Sequence, residues 1–477
     1  MNFIPRISGF TKEHLPPVAR LIRRAYGVVP IERRLGEHFT KTRLLLQGAE
    51  FWDEEKIADF QLRKLKEIVT FAAKNVPFYE DLYRKHGVDV AEIRTLQDVK
   101  LLPSISKEDL RDHLEHFVAR GFQTNKLEYM TTGGSTALPV RFYLEGTKSN
   151  AIEWAFLYNA WSRVGYQPGV RCVVFRGGFI GSDQNRRYWS FDPLRKELHF
   201  SSYHLTNELI PAFLKRARDF HPEFIQAYPS AITIIAKYIK EHELTAKDFF
   251  PQVKAILCGS ENLYPAQREL LEGIFECRIF SWYGHAERVI LAPECEVSNS
   301  YHIYPQYGLT EVLASDGKDA EPGQVGELVG TGFHNLACPL IRYRTKDLAV
   351  PSKDYCACGR KCRLLERVEG RLQELAVTAG GRLISMTAIN MHSGVFDEVK
   401  QFQFLQRKLG ELELHLVPND RFDTSSYAKI RKEIEQKLGL DMTLELRIVQ
   451  HIPLTKSGKS RFLVQELPID HFDGVNR

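Results

Sequence analysis

A chain of 477 residues exceeds what one hydrophobic core ordinarily organises, so a large domain with at least one smaller companion is expected. Hydrophobic residues at 43% and charged residues at 26% exclude a disordered or membrane-spanning chain and leave an ordinary folded one. The net charge of +5 is slight for this length and no long basic run appears, which excludes nucleic acid as a partner.

The first residues, MNFIPRISGFTKEHLPP, lack the apolar centre and cleavage site of a secretory signal, and no apolar stretch is long enough for a transmembrane segment. A cytoplasmic protein is expected, with its eight cysteines as thiols or metal ligands rather than disulfides. Arg20, Arg23, Arg24, Arg33 and Arg34 lie among Leu, Ile and Val in residues 14–36. That segment reads as a solvated helix packed on its own domain and leaves peripheral membrane contact open. The oligomeric state is open, a homodimer being one option.

Residues up to about 120 read as a helical leader, with Leu62, Leu65, Val69 and Ala72 at helical spacing. From Leu127 the pattern changes: LEYM and VRFYL flank TTGGSTALP as the arms of a hairpin. VRCVVF, FIQA, VKAILC and CRIFSW then alternate with helices over Leu209 to Phe220, from Ser230 and from Pro265, the pattern of a parallel sheet covered by helices. Ile232, Ile235, Ala236 and Ile239 form a core stripe on a helix that Ser230 is placed to cap. Beyond Gly370, QFQFLQ and ELELHLV alternate around Gly410, a helix carries Ile430, Ile434 and Leu438, and TLELRIV adds a strand. The expected class is α/β, with a helical leader at 1–120, a large α/β domain at 121–370 and a small α+β domain at 371–477. Cys172, Cys258 and Cys277 lie in strand-like runs and read as buried core.

Four segments carry chemistry. Thr132, Gly133, Gly134, Ser135 and Thr136 occupy the hairpin loop, where glycines admit a polyphosphate close to the backbone and hydroxyls donate to it. No Gly-Lys-Ser/Thr follows, so this is not a Walker loop, and a plain turn is the competing reading. Tyr283, Gly284 and Glu287 follow CRIF at the end of a parallel strand, where α/β sheets bind ligands; Glu287 can hold Mg²⁺ and Tyr283 can cover a purine. A buried glutamate paired with Arg288 competes with that reading. Asp347, after the strand-like PLIRY, can accept both ribose hydroxyls, against a turn aspartate that caps the chain. Lys459, in IPLTKSGKSR, sits on a glycine-containing loop that can swing over a phosphate, against a solvated basic tail.

In this order the four segments resemble the signatures of adenylate-forming ligases, the superfamily of acyl-CoA synthetases, luciferases and peptide-synthetase adenylation domains. AYPSAI, CGSENL, YGHAER and IPLTKSGKSRF, with the leader ending NVPFYEDLY, resemble more closely the phenylacetate-CoA ligase-like proteins, in the CapK-type branch associated with capsular polysaccharide biosynthesis. The resemblance covers essentially the whole chain. It implies a large multi-layer N-terminal domain and a smaller mobile C-terminal domain, acting on ATP and a small-molecule carboxylate to give AMP. By the same resemblance Thr132, Gly133, Gly134, Ser135 and Thr136 bind the ATP phosphates, Tyr283 and Gly284 the adenine, Glu287 the Mg²⁺ and Asp347 the ribose. Arg367 and Arg371, in RVEGR, lie at the junction with the small domain, and Lys459 contacts phosphate and carboxylate before that domain rotates. Coenzyme A is the implied acceptor. An amine or hydroxyl on a sugar or amino acid is the alternative, as is a non-catalytic nucleotide-binding protein of a glycan assembly pathway.

The chain departs from the pattern at three places. Ala286 stands where Thr or Ser is usual beside the glutamate, Lys346 replaces the glycine of Tyr-Arg-Thr-Gly-Asp, and Gln373-Glu374 stand where an Asp pair usually follows the hinge. Lys346 is expected to change the turn without moving Asp347.

Cys356-Ala357-Cys358-Gly359-Arg360-Lys361-Cys362 packs three cysteines into seven residues. Cys295 and His302 can complete a tetrahedral Cys₃His set with Cys356 and Cys358, Cys362 being the substitute, and such a closed site is a structural zinc. Some phenylacetate-CoA ligase-like proteins use cysteines and a histidine from these regions.

Overall fold

The computed structural model describes residue 27 and residues 29–131, 140–176, 188–371, 375–380, 383–385, 394–396, 398–438, 441–454 and 461–467. They form two compact units: one from residues within Arg24–Pro168 and Phe280–Val368, the other from Gly169–Ile279 and residues within Glu369–Arg477. Elements are numbered in chain order.

The first unit opens with helices α1 (Ile31–Ala49), α2 (Glu54–Asn75), α3 (Pro77–His86) and α4 (Lys107–Asp112). Asp53 starts α2 by accepting from the Lys56 N–H at 2.9 Å, and Glu54 and Glu55 complement the helix dipole in its first turn. Leu65, Val69 and Ala72 are buried at helical spacing, with Leu62 packed at the edge of the core. Pro77 occupies the first turn of α3, where its missing N–H costs nothing, and Gly87 ends the helix in a left-handed conformation. Tyr79 on α3 is fully buried; its hydroxyl donates to the Pro339 carbonyl at 3.1 Å and accepts from the Ile341 N–H at 2.9 Å. The helical leader is thereby fastened to the chain entering the candidate site.

The hairpin arms are β1 (Glu128–Thr131) and β2 (Arg141–Leu144), antiparallel, followed by α5 (Thr147–Ser162). The unit also holds β8 (Arg278–Gly284) from Phe280 onward, paired antiparallel with β9 (Leu291–Pro293), and a sheet the sequence did not announce. Its strands are β10 (Tyr301–His302), β11 (Gly308–Leu313), β12 (Gly326–Gly332), β13 (Tyr343–Pro351) and β14 (Leu364–Arg371), in the order β10-β14-β13-β12-β11. Just before β13, buried Arg342 places Nε and Nη2 on the two oxygens of Glu311 at 3.0 and 2.8 Å and Nη1 on the Leu102 carbonyl at 2.5 Å. Glu311→Ala strands that cation without its partner, and a cost of about 3–5 kcal/mol is expected, read from the denaturant midpoint of the unfolding transition.

The second unit is the α/β part. Strands β3 (Cys172–Phe175), β4 (Trp189–Asp192), β5 (Glu197–Phe200), β6 (Phe224–Ala227) and β7 (Ala255–Gly259) lie in the order β4-β5-β3-β6-β7, parallel except for β4. Helices α6 (Ile210–Phe220), α7 (Pro229–Glu241) and α8 (Pro265–Phe275) alternate with them. Ile232, Ile235, Ala236 and Ile239 are fully buried on α7. Ser230 does not cap that helix: Pro229 precedes it within the first turn, and Ser230 N and Oγ both donate to Glu261 at 3.0 Å. At the carboxyl ends of β3, β6 and β7, Arg176 Nη2 donates to Ser260 Oγ at 2.6 Å and its guanidinium lies 5.5 Å over the Tyr228 ring. Cys172 and Cys258 are buried as expected, whereas Cys277 is half-buried. Trp161, in α5 of the first unit, is core at 2% exposure.

The C-terminal part of this unit has a hairpin of β15 (Leu375–Val377) and β16 (Leu383–Ser385), then β17 (Val399–Lys408), β18 (Glu411–Pro418), α9 (Thr424–Leu438), β19 (Thr443–Ile448) and β20 (Leu463–Gln465). The last four strands order as β19-β18-β17-β20, and Ile430, Ile434 and Leu438 bury the inner stripe of α9. Among the described residues, no helix is long and apolar enough to cross a membrane.

Candidate functional site

Tyr283 and Gly284 close β8 and the chain turns at once, the Arg288 N–H donating to the His285 carbonyl at 3.1 Å. The segment leaving the turn lies directly on the antiparallel sheet because two glycines give it room. A Cβ at Gly308 would collide with the Val289 carbonyl, and one at Gly330 would come 2.7 Å from the Val289 side chain.

Glu287 is buried to 6% exposure in this turn. The Tyr343 hydroxyl donates to Oε1 at 2.8 Å, and His285 Nδ1 meets Oε2 at 3.2 Å. Burial works to raise this carboxyl, but the hydrogen bond and charge of His285, the charge of Lys107 on α4 and the Tyr343 hydroxyl outweigh it and hold it at about 2. Among the described residues, His285 Nε2 and Arg288 Nη1 are both buried without a hydrogen-bond partner. Orphaned polar atoms on both sides of a buried carboxylate fit a site built to receive a polar ligand.

Asp347 reaches the same place from β13. The Tyr283 hydroxyl donates to its Oδ2 at 2.8 Å, and burial, then the Asp347 charge, push this phenol well above its ordinary range, so it stays a donor. A β-bulge aims Asp347: Glu327 and Val329 on β12 oppose Leu348 and Arg344, so four steps on β13 face two on its partner. Lys346 sits in the bulge at a φ of 60°, a left-handed conformation that suits glycine. Glu327 pins the bulge, accepting the Lys346 N–H at 3.0 Å on one oxygen and Arg344 Nε at 3.0 Å on the other. Lys346→Gly relieves the left-handed lysine and forfeits only a half-exposed ion pair with Glu108, so a gain of about 0.5–1 kcal/mol is expected in urea denaturation.

The structure thus brings Tyr283, Gly284, Glu287 and Asp347 together. Ala286 packs against the hydrophobic core. Arg367 lies on β14 with Nη1 on Glu366 at 2.6 Å, and Arg371 ends that strand with its side chain outside the described residues. Thr132, Gly133, Gly134, Ser135, Thr136 and Lys459 also lie outside the described residues. Sequence reasoning missed Tyr343, His285 and Lys107 as partners of Glu287. The first two stood inside motifs already singled out, while nothing in the sequence marked Lys107.

A second cluster gathers Cys295, His302 in β10, and Cys356 and Cys358 from the β13–β14 connection, with all four ligand atoms within 4.8 Å of one another. Cys295 Sγ is 3.6 Å from Cys356 Sγ, and Cys358 Sγ is 3.3 Å from His302 Nε2. Tetrahedral zinc with ordinary Zn–S and Zn–N bonds sets its ligand atoms roughly 3.5–3.8 Å apart. His302 Nδ1 donates to the Ser300 carbonyl at 3.0 Å, leaving the Nε2 lone pair to face the sulfurs. Burial, then the charge of Arg163, hold this imidazole down at about 4, so it is neutral. The N–H groups of Val297 and Ser298 donate to Cys295 Sγ, each at 3.2 Å, and partly offset the burial that pushes this thiol up to about 11. The donor set therefore fits zinc. Cys362 is buried outside the set. Arg360 braces the loop: Nη1 is 3.0 Å from each oxygen of Glu296, Nη2 is 2.5 Å from Glu50 Oε1, and its guanidinium lies 5.5 Å over the Phe51 ring.

Residues 375–466 match the family model of the CapK C-terminal domain. Protein CapK of Staphylococcus aureus is 25% identical over 420 residues, covering 86% of this chain and 89% of that one. Phenylacetate-coenzyme A ligase of Thermus thermophilus is 25% identical over 366 residues, covering 75% and 80%. Among solved structures, a 2-hydroxyisobutyryl-CoA ligase in its postadenylation state superposes with a TM-score of 0.69 at 18% identity, over 88% of this chain and 91% of that one. The chain thus shares the α/β fold of that CoA ligase and is similar in sequence to CapK and to phenylacetate-coenzyme A ligase, with a C-terminal part that matches the CapK C-terminal domain.

Proposed function

We propose that this protein is an AMP-forming acid ligase that activates a small carboxylate with ATP and passes the acyl group to coenzyme A. The observation that carries the reading is the pairing of Glu287 with Tyr343 and of Asp347 with Tyr283, two buried carboxylates held ready for a nucleotide and its cation. A carboxylate does not acylate a thiol at neutral pH because its leaving group is oxide. One carboxylate oxygen attacks the α-phosphorus of ATP, the bond to the β-phosphate oxygen breaks, and pyrophosphate leaves. The thiol sulfur then attacks the acyl carbon and AMP departs with the original carboxylate oxygen, the thiol proton passing to solvent.

Asp347 accepts the ribose hydroxyls, and the Tyr283 ring with Gly284 covers the adenine. Thr132, Gly133, Gly134, Ser135 and Thr136 hold the phosphates, and Lys459 neutralises charge as pyrophosphate leaves. Mg²⁺ bound at Glu287 supplies further neutralisation of the phosphate oxygens. Arg367 and Arg371 lie at the junction to a mobile domain at 371–477, which follows a leader at 1–120 and a large domain at 121–370. A structural zinc at Cys295, His302, Cys356 and Cys358 clamps two loops. Coenzyme A as acceptor is supported by the names of the Thermus relative and of the solved ligase; a cytoplasmic role in surface polysaccharide biosynthesis rests on the resemblance of the sequence motifs alone.

Pyrophosphate release from Mg-ATP against aryl, fatty, amino and sugar acids, with and without coenzyme A, tests the reading. Carboxylate-dependent release that Lys459→Ala abolishes, with ATP binding retained, is expected. Consumption of an amine or hydroxyl acceptor in place of coenzyme A would redirect the second step, and ATP binding with no release for any acid would overturn the assignment.

A further inference from the structure

Arg288, directly after Glu287, holds a φ of 57°, a conformation that residues with a Cβ rarely take. Its side chain is gripped by one helix. Asn150 Oδ1 on α5 accepts from Nη2 at 2.7 Å, and Glu153, one turn on, has a carboxylate oxygen 3.9 Å from Nε. Neither partner is free to drift. Asn150 Nδ2 donates to Glu128 Oε2 on β1 at 2.8 Å, and Glu153 Oε2 accepts the hydroxyl of buried Tyr307 at 2.5 Å. The side chains of Arg288 and Glu153 are 18% and 20% exposed, so the network is largely shielded from water. Backbone strain persists only where surroundings over-determine it, and here the surroundings are a polar network drawn from β1, α5 and the chain before β11.

We propose that Asn150 and Glu153 are positioning residues for Glu287: by holding the Arg288 turn they fix the direction in which the Glu287 carboxylate meets the divalent cation carried by the nucleotide. The proposal rests on the role given to Glu287 above. Glu287 keeps His285 and Tyr343 as partners when the network is cut, so it stays near its place but points less accurately. The loss therefore falls on cation-dependent binding of ATP and spares the nucleoside part of the site.

Calorimetric titration of the full chain with Mg-ATP, and separately with AMP in the absence of metal, tests this. Asn150→Ala and Arg288→Ala are expected to weaken Mg-ATP about tenfold and leave AMP unchanged, the scale on which groups that orient a metal ligand act. Arg288→Gly, whose backbone takes the turn without strain, is expected to bind Mg-ATP more tightly than Arg288→Ala. Glu153→Gln keeps the shape of the network and serves as the milder variant should the alanine variants melt early. Glu287→Gln separates the two claims: if it binds Mg-ATP like the wild type, the role of Glu287 itself is wrong. If Glu287→Gln is impaired while Asn150→Ala and Arg288→Ala match the wild type, or lose Mg-ATP and AMP alike, the network is scaffold and the positioning role is overturned.

Discussion

Glu287→Gln is expected to lower carboxylate-dependent pyrophosphate release by about 10²–10³-fold while the chain stays folded, the range found when one preorganised electrostatic contact to a transition state is removed. The substitution keeps the volume and the oxygen that accepts from Tyr343, and removes the negative charge that His285 and Lys107 stabilise. Because the folded carboxyl is held at about 2, below its ordinary 4.5, its contribution to stability is present above pH 4.5 and fades as pH falls toward 2. Between pH 5 and 9 its charge does not change, so any acid limb in the wild-type rate profile across that range belongs to another group. Stopped-time assays of pyrophosphate on both proteins settle the point, and a variant within about threefold of wild type would remove Glu287 from the chemistry.

The second large effect concerns the Cys/His cluster. About one zinc per chain is expected by elemental analysis, and Cys358→Ser or prolonged chelation is expected to release it. Taking roughly 4 kcal/mol, the linkage stabilisation of a site about a thousandfold saturated, and about 2–4 °C per kcal/mol for a domain of ordinary size, the first thermal transition is expected to fall by about 10 °C. Cys362→Ser leaves the four ligands in place and is expected to keep the metal. A metal-free preparation with the same melting profile would end the zinc assignment.

Much of this was legible because the residues involved are uncommon and specific. Three cysteines in seven residues and a histidine behind Cys295 can be read as a ligand set from the letters alone. The parallel strands and α9 were visible because their periodicities are plain: Ile430, Ile434 and Leu438 keep helical spacing, and FIQA is bracketed by breaks. The five-stranded antiparallel sheet was not visible, and for a physical reason. β12 is buried along its whole length and β11 nearly so, which erases the alternation that marks a strand with one wet face. Glu311 and Glu327 disguised these strands further, since a carboxylate normally signals surface. Here each is neutralised by an arginine at the edge of β13, a partner distant in sequence. The same distance hid the network at Arg288: Asn150 and Glu153 look like any polar positions on a helix until the turn after β8 is laid against them.

The bracing of Arg360 has a consequence for how the molecule breathes. Its guanidinium joins Glu50, which ends α1, to Glu296, which stands beside Cys295 in the cysteine cluster. Amide hydrogens in the last turn of α1 and in the cysteine-bearing loops should therefore exchange with solvent as a single cooperative unit, at one common opening free energy. Cutting that one side chain, by Arg360→Ala, should split the unit into two protection classes, α1 exchanging early and the cysteine loops late.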